Sequence, residues 1–309
     1  MRIAVVDIGT NSTRLLIAEV SADGAVSEIE RRSRVTRLGD GVDASGVLSD
    51  AAMERVFAAL DEYTKLIDGH GGVDARPAVL TSAVRDAANG ASFVASVEQR
   101  YGLEARAIAG SEEAQLTYLG ATSDHAAPAD QRTLVIDAGG GSTELIVGCG
   151  HEVEFSVSLQ AGVVRQSERH LHSDPPPLKE LEALGADVSA LIARGVPAAV
   201  RRSAQRAIAV GGTATSCAAI DQALDPYDAT RVHGYQLDLS TLKLLLARLA
   251  SMDLAERRRV RGLHPDRAPT VIAGVAILIR VLEAFELDSF EASEHDILRG
   301  VALRRAGVS

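Results

Sequence analysis

The stretch RIAVVDIGTNSTRLLIAEV (2–20) decides the fold, because RTLVIDAGGGSTELIVG (132–148) repeats it. Each copy is a short apolar run ending in an acid, a turn of small polar residues, and a second apolar run. That pattern predicts strand, turn, strand. Aligning Asp7 with Asp137 without a gap places Val5, Gly9, Ser12, Thr13 and Leu15 on Val135, Gly139, Ser142, Thr143 and Leu145. Two hydrophobic runs align easily by chance; a shared Asp-x-Gly-x-x-Ser-Thr turn between them does not. The repeat predicts two domains that open with the same strand–loop–strand unit, their loops facing each other across an interdomain cleft.

The turns have a chemistry. Gly9-Thr10-Asn11-Ser12 and Gly139-Gly140-Gly141-Ser142 each follow a strand end, and Gly211-Gly212-Thr213 follows the apolar run AIAV (207–210). Glycine lets backbone N–H groups converge on an anion with no Cβ in the way, and hydroxyls add donors. Hairpin turns use the same residues for their dihedral angles, so one loop alone says little; a duplicated pair plus a third points to phosphate. Asp7 and Asp137 stand beside these loops. A carboxylate there repels phosphate unless a cation lies between them. Mg2+ suits that role, because it takes oxygen ligands and bridges carboxylate to phosphate; the alternative is an aspartate capping its own turn. The repeat breaks at Arg14, whose counterpart is Glu144. Arg14 is a candidate for phosphate oxygens and Glu144 for orienting water or a hydrated metal, against solvent-facing charges on the return strand.

Between the copies, apolar residues at helical spacing from Met53 to Leu66 predict a helix over 49–70. PAVLTSA (77–83) reads as a strand leading to Arg85, 91–101 as a helix, 104–108 as a strand and 112–120 as a helix opened by Glu112-Glu113. Acids favour a helix's first turn because they complement its dipole, so spacing alone makes neither glutamate catalytic. The boundary falls near residue 122, before the polar stretch SDHAAPADQ (123–131), giving domains 1–122 and 123–309. After the second copy come a strand over 152–158, a helix after Ala161, the strand AIAV and a mostly helical remainder.

Composition narrows the class. The 309 residues carry a net charge of −10 with 46% hydrophobic content, an ordinary globular balance. Sequence-independent nucleic-acid binding relies on Lys and Arg neutralising phosphates, and with 3% aromatics there is little for a base-stacking platform. The arginine clusters at 31–37, 201–206 and 257–261 read as solvated faces. Cys149 and Cys217 have no metal-ligand spacing, so no zinc site is suggested. The opening apolar run is too short for a signal peptide, and 268–279 holds Pro269 and stops at Arg280, a buried helix and not a membrane span. A cytoplasmic location is expected, with no nucleic-acid or membrane partner.

These motifs together resemble the exopolyphosphatase/guanosine pentaphosphate phosphatase (Ppx/GppA) family of the actin–Hsp70–sugar-kinase superfamily. DIGTNSTRLLIAEV is similar to its first phosphate loop, VIDAGGGSTELIVG to the second and VGGTATS to a third glycine loop. TSAVRDAANG, IAGSEEAQLTYLG, HPDRAPTVIAG and EHDILRGVALRR resemble further family segments. The resemblance implies an α/β fold of two actin-like (ribonuclease H-like, ASKHA superfamily) domains. It implies Glu113 as general base, Glu144 positioning water and metal, and Asp7 and Asp137 with Glu144 holding Mg2+. Gly9, Thr10, Asn11, Ser12, Gly139, Gly140, Ser142, Gly211, Gly212 and Thr213 would bind phosphates and Arg85 the substrate chain. Relatives often read Leu-Arg-Glu-Gly where this chain has Leu298-Arg299-Gly300, so Glu294 and Arg299 are left out of the site.

The implied reaction is hydrolysis of the terminal phosphoanhydride of inorganic polyphosphate, by a homodimer. Long relatives add helical domains; a chain ending at Ser309 is expected to lack them and to favour short polyphosphate. Three other readings stay open: a guanosine pentaphosphate (pppGpp) 5′-phosphohydrolase, a kinase of the same superfamily, and a non-catalytic sensor of guanosine polyphosphates.

Overall fold

The computed structural model describes residues 1–124, 131–150 and 152–308. It divides into two compact units, Met1–Gly120 with Asp296–Ser309, and Ala121–His295. Of the polar stretch at 123–131, residues 125–130 lie outside the described residues.

The first unit is built on five strands: β1 (Arg2–Ile8), β2 (Ser12–Val20), β3 (Val26–Val35), β4 (Pro77–Leu80) and β5 (Glu104–Ala107). Their order is β3-β2-β1-β4-β5. The first three form an antiparallel meander, and β4 and β5 run parallel to β1. Strand β1 reads as a continuous apolar run because both of its faces are buried, as for strands covered by helices on each side. Ala4, Val6 and Ile8 face one core, with Val56, Leu60 and Tyr63 of the helix Asp50–Gly69. Ile3 and Val5 face the other, with Leu116 and with Leu298, Val301 and Ala302 of the helix Ile297–Arg305. Asp7 and Arg14 fall on this second face by alternation.

The second unit repeats the arrangement. Its strands are β6 (Arg132–Ala138), β7 (Thr143–Cys149), β8 (Glu152–Leu159), β9 (Arg206–Val210), β10 (Tyr235–Asp238) and β11 (Ser289–Ser293). The order is β10-β11-β9-β6-β7-β8. Strands β8, β7, β6, β9 and β11 thus correspond to β3, β2, β1, β4 and β5, and β10 is an added antiparallel edge. The helix Val271–Phe285 is buried nearly all round at the centre of this unit's core, which accounts for its lack of a polar face.

Three local readings differ from the structure. The strand expected over 77–83 stops at Leu80 and gives way to the short helix Ser82–Asp86. The arginines at 31–34 belong to β3, an edge strand whose charges pair with Glu28, Glu30 and Glu62; charged side chains suit a sheet edge. The segment 296–309, read as part of the second domain, groups with the first unit. The close approach of two glycines explains that return. A Cβ on Gly120 would meet the backbone of Asp296, and one on Gly300 the backbone of Leu116. Gly300 therefore stands where two helices touch, and a larger residue would force them apart.

Candidate active site

The hairpin register places the charged residues that the repeat singled out. In the first unit Asp7 pairs across the strands with Arg14. In the second, Asp137 pairs with Glu144. The two copies hold equivalent positions with opposite electrostatics.

Arg14 donates from Nε and Nη2 to Asp7 Oδ2, at 2.8 and 2.6 Å, and from Nη1 to Asp296 Oδ2. Asp296 also caps the helix Ile297–Arg305, its Oδ1 accepting the Leu298 N–H at 3.0 Å. Arg14, expected at phosphate oxygens, thus has its guanidinium spanning two buried carboxylates, because it lies directly opposite Asp7. Burial pushes the Asp7 carboxyl above its ordinary value, and the Arg14 guanidinium opposes that shift. Asp7 Oδ1 is buried with no hydrogen-bond partner, so one oxygen remains as a candidate cation donor.

The Asp137–Glu144 pair sets two carboxylates opposite each other on neighbouring strands. Glu144 is 1% exposed, and its Oε1 accepts from Ser142 Oγ and Ser158 Oγ, each at 2.7 Å. Like charges directly opposite on neighbouring strands destabilise a sheet, and a cation between them removes the penalty. The donor set is all oxygen, which suits Mg2+. The residues present therefore fit that ion, with Asp137 and Glu144 the better pair.

The loop carbonyls are tied into the fold. The carbonyl of Thr10 accepts from the Gly39 N–H, and that of Asn11 from the N–H groups of Thr36 and Arg37. In the second unit the carbonyls of Gly139, Gly140 and Gly141 accept from Val163, Val164 and Gly162. The backbone N–H groups of Thr10, Asn11, Gly140 and Gly141, between these carbonyls, are the candidate donors to an anion. The third loop opens the helix Gly211–Asp221, whose N-terminus favours an anion. Gly211 is left-handed (φ 74°), and a Cβ on it would sit 2.8 Å from Asp137 Oδ1, so only glycine brings this backbone to that carboxylate. The Thr213 hydroxyl donates to the Ala138 carbonyl at 2.9 Å, which leaves its backbone N–H as its donor to a ligand.

The glutamate pair is resolved by its neighbours. Glu112 receives two hydrogen bonds from Arg106, at 2.6 and 2.7 Å, and that guanidinium holds its carboxyl below the usual range. Glu113 is 7% exposed, and its Oε2 accepts from Arg85 Nη1 at 3.0 Å. The same Arg85 nitrogen donates to the Ile108 carbonyl at 3.0 Å. Arg85, expected on the substrate chain, thus also fixes Glu113, and it does so because β4 ends early and the next helical turn carries it there.

Two residues escaped the sequence reading. Asp296 anchors Arg14, and the Arg267 guanidinium lies where a Cβ on Gly212 would be. Both belong to segments singled out by resemblance, EHDILRGV and HPDRAPTVIAG, but nothing in their spacing points to a partner.

Two phosphate-type loops on duplicated actin-like sheets, with buried carboxylates beside them, define a phosphoryl-handling ASKHA-fold protein. The chain belongs to the Ppx/GppA phosphatase family, whose profile matches residues 16–307. It is 37% identical to Exopolyphosphatase 2 of Mycobacterium tuberculosis, over 99% of each chain. Among solved structures it is similar to an exopolyphosphatase-like protein, with a TM-score of 0.90 and 38% identity over 98% of this chain and 97% of that one. The Aquifex aeolicus Ppx/GppA family member superposes with a TM-score of 0.82 at 33% identity, over 99% and 97% of the two chains. Among the described residues no helix is long and apolar enough to cross a membrane.

Proposed function

We propose that this chain is an exopolyphosphatase that hydrolyses the terminal phosphoanhydride of inorganic polyphosphate and releases orthophosphate. The observation that carries the reading is the hairpin register, which sets Asp137 against Glu144 at the ends of the glycine-rich loop 139–142. This arrangement supports a cation held beside the phosphate it neutralises.

In this reading the N–H groups of Thr10, Asn11, Gly140 and Gly141, with Gly9, Ser12, Gly139, Ser142, Gly211, Gly212 and Thr213 around them, orient the terminal phosphates. Glu113, aimed by Arg85, takes the proton of the attacking water, a contribution of about 10²–10⁴ in rate. Glu144, fixed by two serine hydroxyls, orients that water. Donors already in place stabilise the charge that spreads over the transferring phosphoryl group. Asp137 and Glu144 would hold Mg2+, which when bound neutralises phosphoryl oxygens, and Asp7 Oδ1 is the candidate cation donor of the first unit. A homodimer completes the proposal, and light scattering on the purified chain measures it.

The test is phosphate release over a panel of polyphosphate lengths, pppGpp and ATP, with Mg2+ and without any acceptor. Release from polyphosphate supports the reading. Release from pppGpp alone makes the chain a guanosine pentaphosphate phosphohydrolase. Turnover only with an acceptor makes it a kinase, and binding without turnover a sensor.

A further inference from the structure

We propose that Asp124, His233 and His295 form a second metal site, for a borderline divalent cation of the Zn2+ class, built from residues the phosphohydrolase reading does not use. One ligand atom from each lies within 4.8 Å of the other two. His295 Nδ1 is 2.8 Å from Asp124 Oδ2. The imidazole rings of His233 and His295 lie 4.3 Å apart between centroids, tilted by 44°. Two imidazoles and a carboxylate form a mixed nitrogen–oxygen set that selects zinc-like ions over Mg2+, which prefers oxygen.

The histidines are held by the fold. Strand β10 pairs with β11 through Tyr235 and Ala292, and the Gly234 N–H donates to the Ala292 carbonyl at 2.9 Å. That pairing carries His233 alongside the chain leaving β11. Ser293, fully buried, ties both sides. Its Oγ accepts the His295 N–H at 3.0 Å and lies 3.4 Å from His233 Nδ1. The Ser293 oxygen, as an acceptor for the His233 Nδ1 proton, is a partner of the kind that fixes ring orientation around a metal.

The spacing fits with small adjustment. Tetrahedral Zn2+ bonds of about 2.0–2.2 Å set ligand atoms about 3.3 Å apart. The His295–Asp124 separation opens slightly to reach that, and the remaining separations close. Asp124 is exposed and the histidines are half-buried, so the carboxylate supplies the movement. Three protein ligands leave a fourth position for water or an anion. Asp124 is the fourth residue of its unit and His295 the last, so the ion would tie together both points at which the chain enters and leaves it.

The test is Zn2+ binding by the metal-stripped full chain, measured by competition with a chromophoric chelator, with Co2+ ligand-field absorption as the readout of four-coordinate geometry. The expected result is one Zn2+ bound at micromolar or tighter affinity and a rise in Tm with added metal. Asp124→Asn, His233→Gln and His295→Gln should each weaken binding by at least about tenfold. Circular dichroism of the metal-free variants checks folding, and if a histidine variant does not fold, the exposed Asp124→Asn decides. Absence of binding below millimolar Zn2+ overturns the proposal. So does binding that survives these substitutions but is lost in Glu144→Gln, which would put the ion at the Asp137–Glu144 pair.

Discussion

Replacing Glu144 by glutamine should remove most of the protein's response to Mg2+ and most of its activity. Asp137 and Glu144 face each other across β6 and β7, and directly opposed strand residues have Cβ atoms about 4.5–5.5 Å apart. Glu144→Gln removes one charge and keeps an oxygen that can accept from Ser142 and Ser158, the two bonds that hold Glu144 now. In metal-free buffer at pH 8 the variant should therefore fold as wild type does. In wild type, Mg2+ at about a hundred times its Kd should add about 2.7 kcal/mol; in the variant that increment should largely vanish, and phosphate release should fall at least about a hundredfold. Differential scanning fluorimetry with and without Mg2+, beside steady-state phosphate release, reads all three. An undiminished Mg2+ shift would refute the argument, because the ion would then be held elsewhere.

Three further outcomes follow from the same geometry. Glu113→Gln should lower turnover at least about a hundredfold while substrate still binds. Glu112→Gln, one residue away but bound to Arg106, should leave turnover within a few-fold, and equal losses in the two variants would mean that the helix rather than the base is being read. Gly300→Ala drives a methyl group into the Leu116 backbone and should cost about 1–3 kcal/mol as overpacking does, with turnover reduced because Leu116 shares the helix of Glu113; chemical denaturation and phosphate release measure the two effects. The Cys217 thiol, fully buried, is pushed up to about 12 from 9.0 by desolvation. The unfolded chain therefore releases this proton first as pH rises, so stability is lost between pH 9 and about 12, by about 1.4 kcal/mol per pH unit at most. Cys217→Ala should flatten that alkaline slope even though it lowers stability at neutral pH, and an unchanged slope in pH-dependent urea denaturation would contradict the burial argument.

What the sequence made legible is what repeats or what has a period. The duplicated strand–loop–strand units and the helix over 49–70 stand out because apolar spacing reports burial directly. Strand β3 was hidden because an edge strand need not bury its side chains, so its arginines look like any solvated face. Strands β10 and β11 were hidden because four or five residues among helices give too little pattern to separate from a loop. The return of 296–309 to the first unit depends on contact between helices through Gly120 and Gly300, and a glycine's spacing does not say what touches it.

The site divides along the same line. Its loops and strand-end acids were visible because both copies have them, and the Arg14–Glu144 break was visible because only one copy has each. Reading that break needed the register. The structure pairs Arg14 with Asp7 and with Asp296 as its second anchor. In the other copy the same position is acidic, and Glu144 takes hydrogen bonds from two serine hydroxyls instead. The duplication thus produced two hairpins with the same strand-end acid and opposite charges facing it across the strands, and the proposed phosphohydrolase assigns cation binding to the acidic one.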